Sequence, residues 1–364
     1  MSAALAPEER IARLRLARTD RIGPVSFLEL LRREGSALQA IDRLPALSRR
    51  AGGAPVQVAS VEAAEAEIAR GETLGAHWLV LGDPDYPPSL AALDAPPPVL
   101  WARGRADLLS AEGLAIVGAR VASAAGQRFA QGLAVEAGAA GFVVVSGMAR
   151  GVDAAAHLGS LPTGTVAVLG GGVDDVYPPD NAALYEQICE SGCVASESPV
   201  GQRAQARDFP RRNRIIAGLS RAVVVVEAEK RSGSLITARL AAEQGREVLA
   251  VPGSPLDPRC QGSNDLIRQG AALCEGMTDV LRALESTRGL WEPPSVFNSP
   301  SEDDAGSPEL VERIMGLLGP TPTPRDDLVR ASGAPAGAVM GVLLELSLTG
   351  QILLVEDGTV VRFD

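Results

Sequence analysis

The chain has 364 residues, 46% hydrophobic and 22% charged, the balance of a globular protein with room for two or three domains. Its formal charge of −11 argues against a globally basic nucleic-acid binder and leaves only a local basic groove. Lys230 is the sole lysine, so the Gly-Lys-Ser/Thr of a Walker A phosphate loop cannot be assembled.

Aromatic residues make up 3% of the chain, so the core must be packed from Ala, Val and Leu, as suits helices lying close on a sheet. Cys189, Cys193, Cys260 and Cys274 match no zinc spacing and read as reduced buried thiols; no metal site is expected. The start is charged and Arg-rich, without signal-peptide character, and no apolar run reaches membrane-spanning length. A cytoplasmic protein without membrane insertion is expected.

Residues 8–48 read as short amphipathic helices, with Leu14, Ile22, Phe27, Leu28, Leu30 and Leu31 supplying the apolar face. Arg21-Ile22-Gly23-Pro24-Val25 fits a hairpin between two helices, either a phosphate-facing unit or plain packing. The Pro-rich stretch 85–100 reads as a fixed connection. From Leu114 onward, short β-branched apolar runs alternate with helices. The runs 114–117, 142–145, 165–169, 222–227 and 247–251 read as strands covered on both faces. Helices are expected over 122–139 and 235–243. This alternation predicts an α/β fold with an extended Rossmann-like, doubly wound parallel sheet. Residues 286–307 read as a linker. Helical patterns at 309–318, 325–331 and 336–348, then strands at 352–356 and 359–363 around Asp357-Gly358, give a winged-helix order. The third of these helices carries few basic residues, so protein contact is as good a role as DNA contact. The expected organisation is an N-terminal helical domain (helix-hairpin-helix type) over 1–65, a Rossmann-like domain over 66–285, the linker, and a winged-helix domain over 308–364.

Ligands bind at the carboxyl ends of such strands. The loops there contain Gly118 and Arg120; Ser146, Gly147 and Arg150; Tyr177-Pro178-Pro179-Asp180-Asn181; Phe209, Arg211, Arg212, Asn213 and Arg214; and Ser232, Gly233 and Ser234. Glycine lets a phosphate approach the backbone, helix N-termini offer N–H donors, hydroxyls add donors, and arginine adds a charged fork. A row of such loops suits a polyphosphate chain better than one nucleotide. Arg211 and Arg212 are phosphate candidates, Arg214 reads as structural, and Asn213 as a base reader or helix cap. Tyr177 and Phe209 are the only obvious aromatics near these loops.

Cofactor and enzyme readings fail on detail. Gly118-Ala119-Arg120-Val121 is not G-x-G-x-x-G, and the second strand ends on Ser146 instead of the acidic residue that holds a ribose, so no cofactor is expected. His77 and His157 have no nucleophile motif beside them, and His157 reads as a core residue. Asp174 and Asp175 read as solvated. Glu197 and Glu227 are the only acid–base candidates, and pairing with arginine is the simpler reading.

Taken in order, several motifs resemble the DNA-processing protein family DprA/Smf. They include Ser146-Gly147-x-Ala149-Arg150-Gly151-x-Asp153, Phe209-Pro210-x-Arg212-Asn213-Arg214-Ile215-Ile216 and Ser232-Gly233-Ser234-Leu235-x-Thr237-Ala238. Gly245-Arg246, Val251-Pro252-Gly253 and Gly262-x-Asn264-x-Leu266-Ile267 follow. The resemblance covers roughly residues 80–285. It implies a non-enzymatic protein that binds and protects incoming single-stranded DNA, self-associates as a homodimer, and delivers the strand to RecA during natural transformation. It implies DNA contacts centred on Arg120, with Gly118, Ser146, Gly147, Arg150, Asn213, Ser232, Gly233 and Ser234 around it. It also implies that the helix carrying Leu266 and Ile267 faces the dimer partner. One position departs from the pattern: Pro179 stands where many members carry a basic residue.

Overall fold

The computed structural model describes residues 4–50, 56–287, 308–319, 321–355 and 358–362. The linker expected over 286–307 falls outside them from residue 288 on. The described chain forms two compact units, Met1–Ala66 with Asp94–Val99 and Pro293–Asp364, and Glu67–Leu93 with Leu100–Glu292.

The N-terminal helices are α1 (Pro7–Ala17), α2 (Pro24–Glu34) and α3 (Ala37–Arg50). Pro24 opens α2, where its missing N–H is harmless, and Gly35 closes it in a left-handed conformation (φ +81°). Leu14, Phe27, Leu30 and Leu44 are fully buried between these helices. Glu9 is buried too, because its carboxylate accepts the Ala37 and Leu38 amides at the start of α3.

Helix α4 (Val61–Thr73) leads into β1 (Ala76–Val80), α5 (Pro88–Ala91) and β2 (Val99–Gly104). The parallel core follows: β3 (Gly113–Val117), α6 (Ala124–Ala139), β4 (Val143–Ser146), α7 (Val152–Ser160), β5 (Thr165–Val168), α8 (Ala182–Ser191) and β6 (Cys193–Ser196). Next come α9 (Asp208–Gly218), β7 (Ser220–Val225), α10 (Gly233–Glu243), β8 (Glu247–Ala250), α11 (Gln261–Arg268), β9 (Ala272–Leu273) and α12 (Met277–Thr287). The sheet order is β1-β2-β6-β5-β4-β3-β7-β8-β9.

The five expected strands all form, and the pairs among β3–β9 are parallel. The expected all-parallel sheet is corrected at one edge. β2 runs antiparallel to β6, Trp101 opposite Ser196, so the sheet is mixed. Both faces are covered. One holds Leu114, Ile116, Val144 and Val224 against α6, α7 and α12, and Ala167 and Val194 against Tyr185 and Ile188 of α8; the other, with Ala115, Val145, Val166 and Val223, lies under α9 and α10. Small residues set the close fit, since α6 and α7 meet through Ala130, Ala134, Ala155 and Ala156.

The C-terminal module comprises α13 (Pro308–Leu317), β10 (Thr323–Pro324), α14 (Arg325–Ser332), α15 (Ala336–Leu348), β11 (Ile352–Leu354) and β12 (Thr359–Arg362). β12 pairs antiparallel with both β11 and β10, completing a winged helix. Gly358 takes φ +80° in the wing turn, as the Asp-Gly signal requires; Asp357 lies outside the described residues. Leu310, Ile314, Leu328, Val339, Val342, Leu343, Ile352 and Val360 form its core.

Candidate nucleic-acid interface

From β3 the chain steps outward through β4, β5 and β6, then returns to place β7 on the other side of β3. The crevice between the carboxyl ends of β3 and β7 is therefore the topological switch point, and a nucleotide phosphate would be held there by the amides opening α6. In this chain the Glu227 carboxylate fills that position. Its Oε2 accepts the Ser123 amide at 2.9 Å and its Oε1 accepts the Ser123 hydroxyl at 2.6 Å, at the N-cap of α6. A Cβ on Gly126 would meet this carboxylate at 2.7 Å. Glu227, expected to pair with arginine, instead caps a helix through hydroxyl and amide.

The loop joining β4 to α7 is turned by Met148 in the left-handed region (φ +63°) and Gly151 (φ +77°). It is pinned from inside. Asp153 Oδ2 accepts the Gly147 amide at 3.2 Å and the Ala149 amide at 3.3 Å, and Asn181 Nδ2 donates to the Met148 carbonyl at 2.8 Å. Burial raises the Asp153 carboxyl above its ordinary pKa, opposed by the nearby Arg212 charge and the two amides. The Gly147 N–H is thus occupied by an internal carboxylate.

Arg212 is the strut under this loop. Only 8% exposed, it donates to the Gly147 carbonyl at 2.7 Å, to the Val168 carbonyl, and through Nε to Asn213 Oδ1 at 3.1 Å. Burial lowers its pKa to about 10. Gly147 lacks a Cβ because that atom would overlap the guanidinium.

Above the strut lies a cleft of about 30 Å³, lined by Arg120, Gly147, Ala149, Arg150, Tyr177, Pro178, Phe209 and Arg212. That space admits one or two water-sized groups, far less than a nucleoside. Its rim carries the chemistry. Arg120 is exposed, its guanidinium 5.6 Å from the Phe209 ring centre; Tyr177, 52% exposed, tilts against Phe209 at 5.4 Å. Arg150 is 62% exposed, with only a loose contact to Asp180 at 3.7 Å. Two cations and the Tyr177 ring face solvent on one edge, with the half-buried Phe209 ring beneath them, between the loops after β3, β4 and β5 and the first turn of α9.

The sequence candidates divide accordingly. Arg120, Arg150, Gly147 and Arg212 come together in the cleft, Arg212 as a buried floor instead of an exposed phosphate ligand. Ser232, Gly233 and Ser234 open α10 nearby, tied in by Asn213 Nδ2 donating to the Gly233 carbonyl at 3.3 Å. Asn213 therefore neither caps a helix nor stands free to read a base. Four further corrections follow from burial and pairing. Ser146 is fully buried and fastens β4 to β3 by donating to the Ile116 carbonyl at 2.7 Å. The Ser234 hydroxyl, also buried, pairs with Ser232 Oγ at 2.7 Å. Gly118 is a close-packing site, where a Cβ would meet Val152 at 2.7 Å. Arg211 lies outside the cleft lining and pairs with Glu197 at 3.5 Å, on the same side of α9 as the buried Arg214 at 2.6 Å.

Asp174, exposed as expected, and the half-buried Asp175 also anchor the loop before α9 by accepting the Gly201 and Ala204 amides at 2.8 and 2.7 Å. Among the described residues no cluster of three or more His, Cys, Asp or Glu could hold a metal ion, and no single helix is long and apolar enough to cross a membrane. His157 is fully buried. Thr165 Oγ1 donates to the Val144 carbonyl, so it must accept from His157 Nδ1 at 2.8 Å, which fixes the neutral Nδ1–H tautomer. Burial, with the Arg212 charge, holds the His157 pKa down to about 3. Sequence reasoning missed the pinning roles of Asp153 and Asn181. The signal for Asp153 was an acidic side chain in the first turn of a helix that follows a glycine loop.

A doubly wound sheet with a cationic, aromatic rim at its carboxyl end, preceded in the chain by a helical domain and followed by a winged helix, defines a multidomain protein of the Rossmann type. Residues 77–285 match the family model of DNA recombination-mediator protein A, residues 7–69 the DprA-like N-terminal HHH domain, and residues 298–358 the DprA winged helix domain. The chain belongs to the DprA/Smf family. It is 39% identical to Protein Smf of Escherichia coli over 292 residues, covering 78% of this chain and 77% of that one. It is 43% identical to DNA processing protein DprA of Streptococcus pneumoniae over 209 residues, covering 56% and 72%. The X-ray structure of the S. pneumoniae protein superimposes with a TM-score of 0.62 at 33% identity, over 77% of this chain and 98% of that one. A structure of Helicobacter pylori DNA processing protein A, described for its single-stranded DNA binding mode, gives 0.53 at 28% identity, over 58% and 96%.

Proposed function

We propose that this protein binds single-stranded DNA along the rim formed by Arg120, Arg150, Tyr177 and Phe209, with the amino end of α10 at Ser232-Gly233 extending the track. The observation that carries the reading is the exposure of two arginines and the Tyr177 ring, backed by the half-buried Phe209, on one sheet edge above a cleft too small for a nucleotide. Arginines hold phosphates and rings stack bases irrespective of sequence. The H. pylori relative's single-stranded DNA binding supports the same choice. The protein acts as a binder and not as a catalyst: the acid–base candidates Glu197 and Glu227 are engaged by Arg214 and by the cap of α6.

In this reading the protein protects incoming strands during transformation and passes them to the RecA recombinase. It does so as a homodimer through α11, where Leu266 and Ile267 are half-buried beside the exposed Leu273 of the edge strand β9. Electrophoretic mobility shifts with a single strand and with its duplex test the binding. Preferential retardation of the single strand, lost in Arg120→Ala, is expected; equal binding by that variant refutes the site. Sedimentation of the wild type and Ile267→Asp tests the dimer, and strand exchange on coated single strands tests the RecA step.

A further inference from the structure

The third helix of the winged helix, α15, has the wrong chemistry for reading DNA. Groove-reading helices present cations and amides to base edges and phosphates. α15 offers one charged side chain in thirteen residues, Glu345, and residues 308–364 hold four arginines against eight aspartates and glutamates.

The burial of α15 is two-sided. Ala338, Val339, Val342, Leu343 and Leu346 point into the winged helix's own core. Leu344 and Leu348 sit one turn apart on the opposite side, both 0% exposed and both outside that core. Helix α15 packs there against α2 and α3 of the N-terminal domain. Polar contacts flank this apolar seam. Arg33 of α2 reaches Glu345 at 3.7 Å, and Arg21 in the turn before α2 donates to the Leu348 carbonyl at 3.5 Å, at the negative end of α15.

We propose that the winged helix is an intrachain clasp on the N-terminal helical domain, with its third helix serving as a protein-docking face in place of a DNA-reading one. Leu344 and Leu348 close against α2 and α3, and the Arg33–Glu345 pair sets their register. The clasp does not depend on the strand-binding rim, so either proposal can fail alone.

Hydrogen exchange on the full chain tests it through peptides covering residues 24–50. Leu344→Asp removes a leucine outside the winged helix's own core and is expected to speed exchange there at least about tenfold, since it buries an unpaired charge in the seam. Glu345→Arg and Arg33→Glu should each speed it about two- to fivefold, and the double charge swap should restore protection. Duplex DNA affinity should be the same in all four variants. Unchanged exchange over 24–50 in Leu344→Asp, absence of rescue in the double swap, or a changed duplex affinity overturns the clasp.

Discussion

Arg212→Met separates a structural strut from a phosphate ligand. The substitution keeps the buried aliphatic length but deletes the donors to the Gly147 and Val168 carbonyls and to Asn213. It also leaves Asp153, 6% exposed, without its nearest balancing charge. Removing one member of a buried charged set costs about 3–5 kcal/mol, because the other is left uncompensated. The pH sign follows from Asp153. Burial raises its native pKa above 3.8, so the native state binds more protons than the unfolded state between those values, and stability falls as pH rises through that window. Losing Arg212 extends the window upward. The deficit of Arg212→Met, measured by urea denaturation, should therefore be smaller at pH 5 than at pH 8. Against an Asp153→Asn background it should shrink by about 1–2 kcal/mol. A variant as stable as wild type that nevertheless loses DNA, or a deficit indifferent to pH and to Asp153→Asn, would refute the strut.

The other predictions are narrower. Arg120→Ala should weaken single-strand binding about tenfold or more and reduce the salt slope by about 0.7, with little change in the unfolding midpoint, because the Arg120 side chain is exposed. Tyr177→Ala should cost about 1–3 kcal/mol of single-strand affinity by loss of stacking, measured by fluorescence titration; unchanged affinity would remove the ring from the site. Gly151→Ala should lower stability by at least about 2 kcal/mol in a denaturant melt, since φ is +77° and a Cβ would overlap the Ala119 carbonyl oxygen. The His157 ring should show no NMR titration between pH 5 and 8. Its pKa of about 3 lies below the unfolded 6.5, so the unfolded state takes up the extra proton, and its contribution to stability is complete above pH 6.5 and is lost as pH falls toward 3.

The parallel core was legible because β3, β4, β5, β7 and β8 are apolar and rich in valine, a pattern that arises when both faces of a strand are covered. The winged helix was legible from three helical patterns and Asp-Gly. Edge elements were not. β1 reads Ala-His-Trp-Leu-Val, β2 emerges from a proline-rich stretch, and β6 is four small residues, so none has a distinctive period. The loops that build the site were visible as motifs, but the direction of each polar group was not. Ser146 and Arg212 look like phosphate donors in sequence, yet they face inward because backbone carbonyls left over at strand ends need partners. Glu227 looks like a candidate acid, yet it supplies the negative charge that the amino end of α6 demands.

The central claim is that the exposed Arg120 and Arg150 guanidinium groups and the Tyr177 and Phe209 rings on one sheet edge hold a single strand by its phosphates and bases, on a protein whose net charge is −11. Fluorescence anisotropy of a labelled oligothymidylate, titrated from about 50 to 200 mM salt, tests it most directly. The expected result is saturable binding whose logarithm falls linearly with the logarithm of salt, by about 0.7 for each phosphate neutralised, and which exceeds binding to a duplex of equal length. Absence of binding at the lowest salt, or an affinity indifferent to salt, would contradict it.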